Sequence, residues 1–456
     1  MIELGTCSRE GAFLRSIDET SRIAVTPIQP LTFRIYTQHN FDQIPQLERL
    51  SAEQRFAIKV VAQVLPFRVN QYVIDELVGW DDVPNDPMFR LVFPQPEMLA
   101  PEHFDRMADL LKSDADKKVI KQVAQEIQSE LNPHPAGQTT LNVPRIGNES
   151  LEGAQHKYRE TLLFFPSQGQ TCHSYCTFCF RWAQFVEDKD LRISTREVAT
   201  LHEYLQGHTE ITDLLVTGGD PMVMKTSRLE EYLRPLTSPE FEHLQTIRIG
   251  TKSLTFWPYR FVTDPDADNL LRLFSDLVRA GKHVAVMAHF EHGREMDGPV
   301  VREAVRRILD TGAVIRTQAP VLKHINDDAD VWASMWREQV RMGMVPYYMF
   351  VERDTGARRY FELPLERAWQ IYRDAIQQVS GLGRTVRGPS MSALPGKVEV
   401  QGVTEIQGEK VFVLSFIQAR NPDWVKRPFF AKYDPDATWL DKLQPAFGAE
   451  KFFFEE

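Results

Sequence analysis

The chain contains no uncharged apolar run approaching the roughly 20 residues of a membrane helix, which excludes a helical bilayer span. Basic residues are in deficit, 53 Lys and Arg against 63 Asp and Glu, for a formal charge of −10. Phosphate backbones are gripped by basic clusters, so nucleic acid is not an expected partner. The start, Met1-Ile-Glu-Leu4, lacks a basic stretch followed by an apolar one, so no secretory leader is expected and the cytoplasm is the expected compartment. Hydrophobic residues at 43% and charged residues at 25% are those of a folded enzyme rather than a disordered chain. A length of 456 residues suggests two to three domains, or one large barrel with extensions.

Cysteine is scarce too: there are four, and three of them, Cys172, Cys176 and Cys179, lie in Thr171-Cys-His-Ser-Tyr-Cys-Thr-Phe-Cys-Phe180. They cannot all pair among themselves, their spacing is too short for unstrained disulfides, and Cys7 is far away in sequence. A [4Fe-4S] cubane normally takes four cysteines, so three thiolates would leave one iron open to another ligand. Two plainer readings are buried cysteines acting as small hydrophobes, or a structural zinc completed by His173. Adjacency of His173 to Cys172 makes joint tetrahedral ligation awkward, and a reduced compartment suits exposed iron–sulfur chemistry.

From about Leu50 to Leu131 the pattern is helical: Ser51 opens one helix, a second is expected over Pro101–Lys112 and a third over Asp114–Leu131. Asp81 to Pro87 reads as a loop, and the Pro- and Gly-rich stretch Asn132–Gly153 as a linker or an arm over the next domain. Short apolar runs then alternate with amphipathic helices, the runs starting at Thr161, Asp213, Thr246, His283, Val314 and Pro346. The intervening helices are expected over 194–206, 227–236, 267–280, 299–310, 328–342 and 364–379. Such βα units imply an α/β fold with a parallel sheet, curled into an incomplete (βα)6 barrel whose chemistry gathers at the carboxyl ends of the strands. The expected division is 1–153 as N-terminal helical region and arm, 154–385 as barrel core, and 386–456 as C-terminal extension.

The cysteine loop follows the first strand of that pattern. The second ends in Val216-Thr-Gly-Gly-Asp-Pro221, where glycines permit close backbone approach, although alone this is also an ordinary turn. Together these features resemble the radical S-adenosylmethionine (radical SAM) superfamily. More closely, His156-Lys-Tyr158, the cysteine run with Phe180-Arg181, Arg248-Ile-Gly-Thr251, His289-Phe-Glu-His-Gly-Arg-Glu295, Gln318, Val321-Leu322, Asn326-Asp327 and Pro346-Tyr-Tyr348 look like the lysine 2,3-aminomutase family in the same order. The likeness runs from about Leu50 to Val400.

The resemblance implies that Cys172, Cys176 and Cys179 bind a [4Fe-4S] cluster whose open iron holds S-adenosylmethionine. It places Phe178 near the adenine, Gly218, Gly219 and Asp220 at the methionine amino group, and Gln318 near the ribose or carboxylate. His289 is expected at the pocket as a hydrogen-bonding strand-end histidine rather than half of a metal pair with His292. The reduced cluster would cleave the sulfonium to a 5′-deoxyadenosyl radical. Aminomutases of this family also hold pyridoxal 5′-phosphate on a lysine. Lys397, in Leu394-Pro-Gly-Lys397, looks like that lysine, although Lys after Pro-Gly is also a common surface turn. Arg181 resembles the arginine that pairs with the substrate α-carboxylate.

Departures from the family pattern accompany these matches. The glycine run before Lys397 is short, an Asp ahead of it is absent, and Arg159 is displaced from the usual phosphate-holding position, leaving Lys157 and Tyr158 for that task. Lysine-specific members surround the substrate ammonium with two aspartates; here Arg353 stands at or beside the first place and the second offers no acid. An α-amino acid with an acidic or neutral side chain fits better than lysine. The leading expectation is 1,2-amino migration on such a small-molecule substrate, with flavodoxin or ferredoxin as reductant and a homo-oligomeric assembly. Rivals are a radical SAM epimerase, dehydratase or modifying enzyme without pyridoxal phosphate, and a non-catalytic iron–sulfur electron-transfer protein. No C-terminal zinc site is expected, and the aromatic end from Phe447 reads as a packing tail or subunit contact.

Overall fold

The computed structural model describes residues 28–186, 193–195 and 198–455, so Cys7 lies outside the described residues. The N-terminal region begins with β1 (Ile35–Thr37), and α1 (Ala52–Val61) is opened by a capping box. Ser51 Oγ accepts from the Gln54 N–H at 3.1 Å and the Gln54 side chain accepts from the Ser51 N–H at 2.8 Å, satisfying two otherwise unpaired donors. β2 (Arg68–Asn70) pairs antiparallel with β1. α2 (Pro87–Val92), α3 (Pro101–Lys112) and α4 (Lys117–Glu130) follow. The last starts after Asp116 rather than at Asp114, because the Asp116 carboxylate caps it, accepting from the Lys118 N–H at 2.7 Å.

The Asn132–Gly153 stretch carries a small hairpin, β3 (Arg145–Ile146) with β4 (Glu149–Ser150). It lies against later parts of the chain: Asn132 Nδ2 donates to the Asp354 carbonyl at 2.8 Å, and Arg420 donates to Asn142 Oδ1 at 2.5 Å.

One sheet of eleven strands then runs through the rest of the chain in sequence order. β5 (Ala154–Tyr158) pairs antiparallel with β6 (Thr161–Phe164) at the edge. After α5 (Val198–Gly207) comes β7 (Asp213–Val216), and after α6 (Thr226–Leu233) comes β8 (Thr246–Thr251). The short α7 (Ser253–Phe256) and α8 (Ala267–Arg279) precede β9 (His283–His289); α9 (Pro299–Leu309), β10 (Val314–Val321), α10 (Ala329–Arg341) and β11 (Val345–Val351) continue the alternation. β6 to β11 are parallel to one another. The sequence leads to these elements for simple reasons. Leu270, Leu273, Phe274 and Leu277 recur at helical spacing on α8 and are buried, while Val284 to Ala288 on β9 are buried without alternation, as a strand covered on both faces must be. The helix expected from Ser194 begins at Val198, and residues 196–197 of that expectation lie outside the described ones.

Two findings extend the sequence reading. After α11 (Arg358–Phe361) and α12 (Leu365–Gln377), β12 (Arg387–Ser392) adds a seventh parallel strand beside β11. Its sequence, Arg-Gly-Pro-Ser-Met-Ser, has no β-branched run to betray it. The segment after 385 therefore continues the same sheet, through the antiparallel β13 (Gly396–Ile406), β14 (Glu409–Ala419) and β15 (Pro428–Lys432). The sheet curls enough for β14 to approach β5 at the opposite end. The aromatic tail packs within the chain: the rings of Phe453 and Phe454 lie 6.1 and 5.1 Å from that of Phe416.

Candidate active site

The cysteine loop leaves the carboxyl end of β6 and is splinted by the N-terminal region. Tyr175 N–H donates to the Arg68 carbonyl at 2.8 Å and Thr177 N–H to the Leu91 carbonyl at 2.9 Å. Asn70, fully buried, sends its backbone N–H to Ser174 Oγ at 3.0 Å and its side-chain amide to the carbonyls of Phe256 at 2.7 Å and His173 at 3.3 Å. His173 Nδ1 is engaged with Ser253 Oγ at 2.9 Å, its ring packs against Phe33 and Trp257, and burial pushes its pKa down to about 3. Among the described residues, no three His, Cys, Asp or Glu side chains close on one point as ligands of a single ion would. The three thiols instead line a shared cavity. A single zinc draws its sulfurs to within about 2.3 Å of one centre, whereas a cluster offers a separate iron to each thiolate. Burial holds all three as thiols, Cys179 up to about 11, so metal binding must displace their protons.

Gly218 and Gly219 follow β7, and the cysteine loop sits directly on them. Gly218 has φ +138, and a Cβ on Gly219 would stand 2.5 Å from the Thr171 backbone nitrogen. Asp220 N–H donates to the carbonyls of Thr171 at 2.7 Å and Gly169 at 3.0 Å. The Asp220 side chain, in the loop expected at the methionine amino group, is engaged within the protein. Its carboxylate accepts from Thr251 Oγ1 at 2.7 Å, Ser253 Oγ at 2.9 Å and the N–H groups of Lys252 and Met222, both at 2.9 Å. That set of protein donors occupies its lone pairs and ties the loop after β7 to the one after β8.

The cavity, of about 240 Å³, opens at the carboxyl ends of the parallel strands and brings together Cys172, Cys176, Cys179, Phe178, Arg181, Gly218, Gly219, Asp220, His289, Gln318 and Lys397. His289 Nε2 lies 2.9 Å from the Gln318 amide nitrogen, and its Nδ1 lies 3.4 Å from Glu291. Lys252 bridges Glu291 and, at 2.6 Å, Glu295; all three are buried. Burial alone would lower the Lys252 pKa, but the two carboxylates outweigh it and hold the ammonium charged.

Lys397, at the start of β13, is not a surface lysine. Its amine lies 3.9 Å from the centre of the Tyr348 ring, and its pKa is driven well down, first by burial and then by Arg248, Arg387 and Lys157. Arg181 is clasped between the rings of Phe165 at 4.6 Å and Phe180 at 4.9 Å. Lys157 and Tyr158 do not line the cavity: Lys157 donates to the Ala393 carbonyl, just ahead of Lys397, and burial with the nearby Arg420 and Arg353 lowers its pKa to about 7. Burial likewise raises Tyr158.

Several residues of the site escaped the sequence reading. Lys252 stands one place beyond the Arg248-Ile-Gly-Thr251 motif, and Glu291 and Glu295 sit inside the His289 motif, but their union spans 39 and 43 positions. Arg248 forks onto Asp213, with Nε at 2.8 Å from Oδ1. Glu352, beside Arg353, is buried with one carboxyl oxygen unpartnered, and burial pushes its pKa up.

No family model matches the chain. A protein of Aquifex aeolicus that carries a provisional name as an L-lysine 2,3-aminomutase is 31% identical over 395 residues, covering 87% of this chain and 92% of that protein. The chain belongs to the lysine 2,3-aminomutase family of radical SAM proteins. A glutamate 2,3-aminomutase of Clostridioides difficile is 27% identical over 211 residues, 46% of this chain and 47% of its own. A radical SAM methyltransferase structure from Sphaerobacter thermophilus aligns with a TM-score of 0.37 at 14% identity, covering 63% of this chain and 84% of that one. The lysine 2,3-aminomutase family implies an enzyme of the radical SAM aminomutase type that uses a [4Fe-4S] cluster and S-adenosylmethionine. The three thiols sharing one cavity fit the cluster. No described helix is long and apolar enough to cross a membrane.

Proposed function

We propose that this chain moves an amino group between adjacent carbons of an α-amino acid other than lysine, with pyridoxal 5′-phosphate held on Lys397. The observation that carries this reading is the sharing of one cavity by three thiols and an amine held neutral by its surroundings. A lysine must be uncharged to attack a carbonyl, and burial among Arg248, Arg387 and Lys157 makes it so. Pyridoxal phosphate supplies, when bound, a π-system over which an unpaired electron beside a migrating nitrogen is shared. Lys157, Tyr158 and Arg420 fit the role of holding its phosphate: the mutual repulsion of Lys157 and Arg420 is what a bound anion would relieve.

Cys172, Cys176 and Cys179 would hold the cluster, with Phe178, Gly218, Gly219, His289 and Gln318 around S-adenosylmethionine. Arg181 would take the substrate α-carboxylate, its plane set by the rings on either side. Phe178, Phe180, Tyr348 and Phe350 line the cavity and exclude water from a radical step. Arg353 stands at the cavity wall where a lysine substrate would need an acid. A flavodoxin or ferredoxin reductant, a homo-oligomer and a cytoplasmic location complete the reading.

The test is anaerobic reconstitution followed by S-adenosylmethionine, dithionite and a panel of amino acids. The reading requires 5′-deoxyadenosine, a shifted isomer, and a pyridoxal–lysine absorption band that Lys397→Ala abolishes. 5′-Deoxyadenosine without the band favours the rival free of pyridoxal phosphate; neither favours an electron-transfer protein.

A further inference from the structure

We infer that the substrate is a dicarboxylic α-amino acid and that Arg353 receives its side-chain carboxylate; the inference rests on the aminomutase reading. Consider the cations of the cavity. Arg248 is forked onto Asp213, Lys252 is held between Glu291 and Glu295, and Lys397 serves the cofactor. Arg181 serves the α-carboxylate. Arg353 is left over.

Arg353 is buried, and its Nε and Nη2 have no hydrogen-bond partner. Asp354 stands beside it as an ion-pair partner, its Oδ1 3.8 Å from Nε and so beyond hydrogen-bond reach. Leaving a buried donor without a hydrogen bond costs about 1–3 kcal/mol, more when the group is charged, so a guanidinium that lines the cavity with one carboxylate at ion-pair distance, and no hydrogen bond to it, is suited to a second anion. Its neighbour Glu352 leaves Oε1 without a partner, and burial pushes its pKa up.

The guanidinium is also positioned, not merely present. It rests 5.3 Å from the Phe180 ring, and Arg181 rests 4.9 Å from the same ring. One phenyl group thus spaces two guanidiniums that arrive from different strands, Arg181 after β6 and Arg353 after β11. Two planar, fork-shaped donors on one cavity wall match two carboxylates of one small molecule. A lysine or arginine substrate would bring a cation to Arg353. A neutral one would leave it unpaired, and sites built to pair a polar group reject analogues lacking it by about 10⁴–10⁵-fold.

The experiment uses the full chain, reconstituted anaerobically. L-glutamate, L-aspartate, L-glutamine, L-alanine and L-lysine are compared by 5′-deoxyadenosine and isomer formation, and by titration of the pyridoxal band without S-adenosylmethionine. Glutamate or aspartate should exceed each of the others by at least 100-fold in kcat/KM and shift the band at the lowest concentration. Arg353→Gln should raise KM for the acid at least 100-fold while keeping the band, and Arg353→Lys should recover part of the loss. A preference for lysine or a neutral amino acid overturns the proposal while sparing the aminomutase reading. So does an unchanged KM in Arg353→Gln. Loss of the band in that variant would assign the guanidinium to the cofactor phosphate and overturn it as well. Absence of both 5′-deoxyadenosine and the band in the wild type overturns both.

Discussion

The Lys397 amine sits 3.9 Å over the centre of the Tyr348 ring, and the charged groups nearest to it in effect are cations. Burial and those cations keep it neutral in the fold, whereas the unfolded chain protonates it below about 10.4. The unfolded state therefore binds the extra proton, and stability of the cofactor-free protein rises with pH toward that value. Lys397→Met should remove this slope and raise the unfolding free energy at pH 7. Denaturant unfolding at several pH values, with the cofactor stripped, measures it; equal slopes in both proteins would refute it.

Gly219→Ala should leave the fold intact and empty the iron site. The added methyl would stand 2.5 Å from the Thr171 backbone, at the root of the cysteine loop. Iron per chain after reconstitution should fall several-fold while circular dichroism is unchanged. Gly207→Ala, where a Cβ meets nothing within 4 Å, is the control.

Lys252→Met should cost about 3–5 kcal/mol, because it strands two buried carboxylates beside each other. Adding Glu291→Gln and Glu295→Gln should restore most of the loss. Urea midpoints of the single and triple variants decide it, and a triple variant weaker than the single one would contradict it.

Asn70→Ala removes the side chain that bonds the carbonyls of Phe256 and His173. A loss of about 1–3 kcal/mol is expected, with poorer iron retention, since the cysteine loop loses a support. Iron release to a chelator, timed against wild type, reports the second effect.

Much of the sheet was legible because its strands read as short apolar runs: Val284 to Ala288 on β9 are all buried, and on β7 Leu214 and Val216 are buried while Leu215 lines the cavity. β12 was hidden, since Pro389 and two serines carry no such signal. The three cysteines announced themselves by spacing alone. Lys397 was visible only through likeness to relatives: nothing in Pro-Gly-Lys says that the amine is buried. The Lys252, Glu291 and Glu295 group was illegible, because residues so far apart in sequence meet only through the register of β8 and β9. Asp220 was placed by likeness in the loop after β7; a sequence does not reveal that Thr251 and Ser253 will bond its oxygens.

The continuation of the sheet past β11 has a consequence for synthesis. All three thiols of the cavity precede residue 180, whereas the amine arrives far later in the chain, on β13. A polypeptide that stopped short of β13 would carry the complete sulfur set and lack the amine that we propose for the carbonyl.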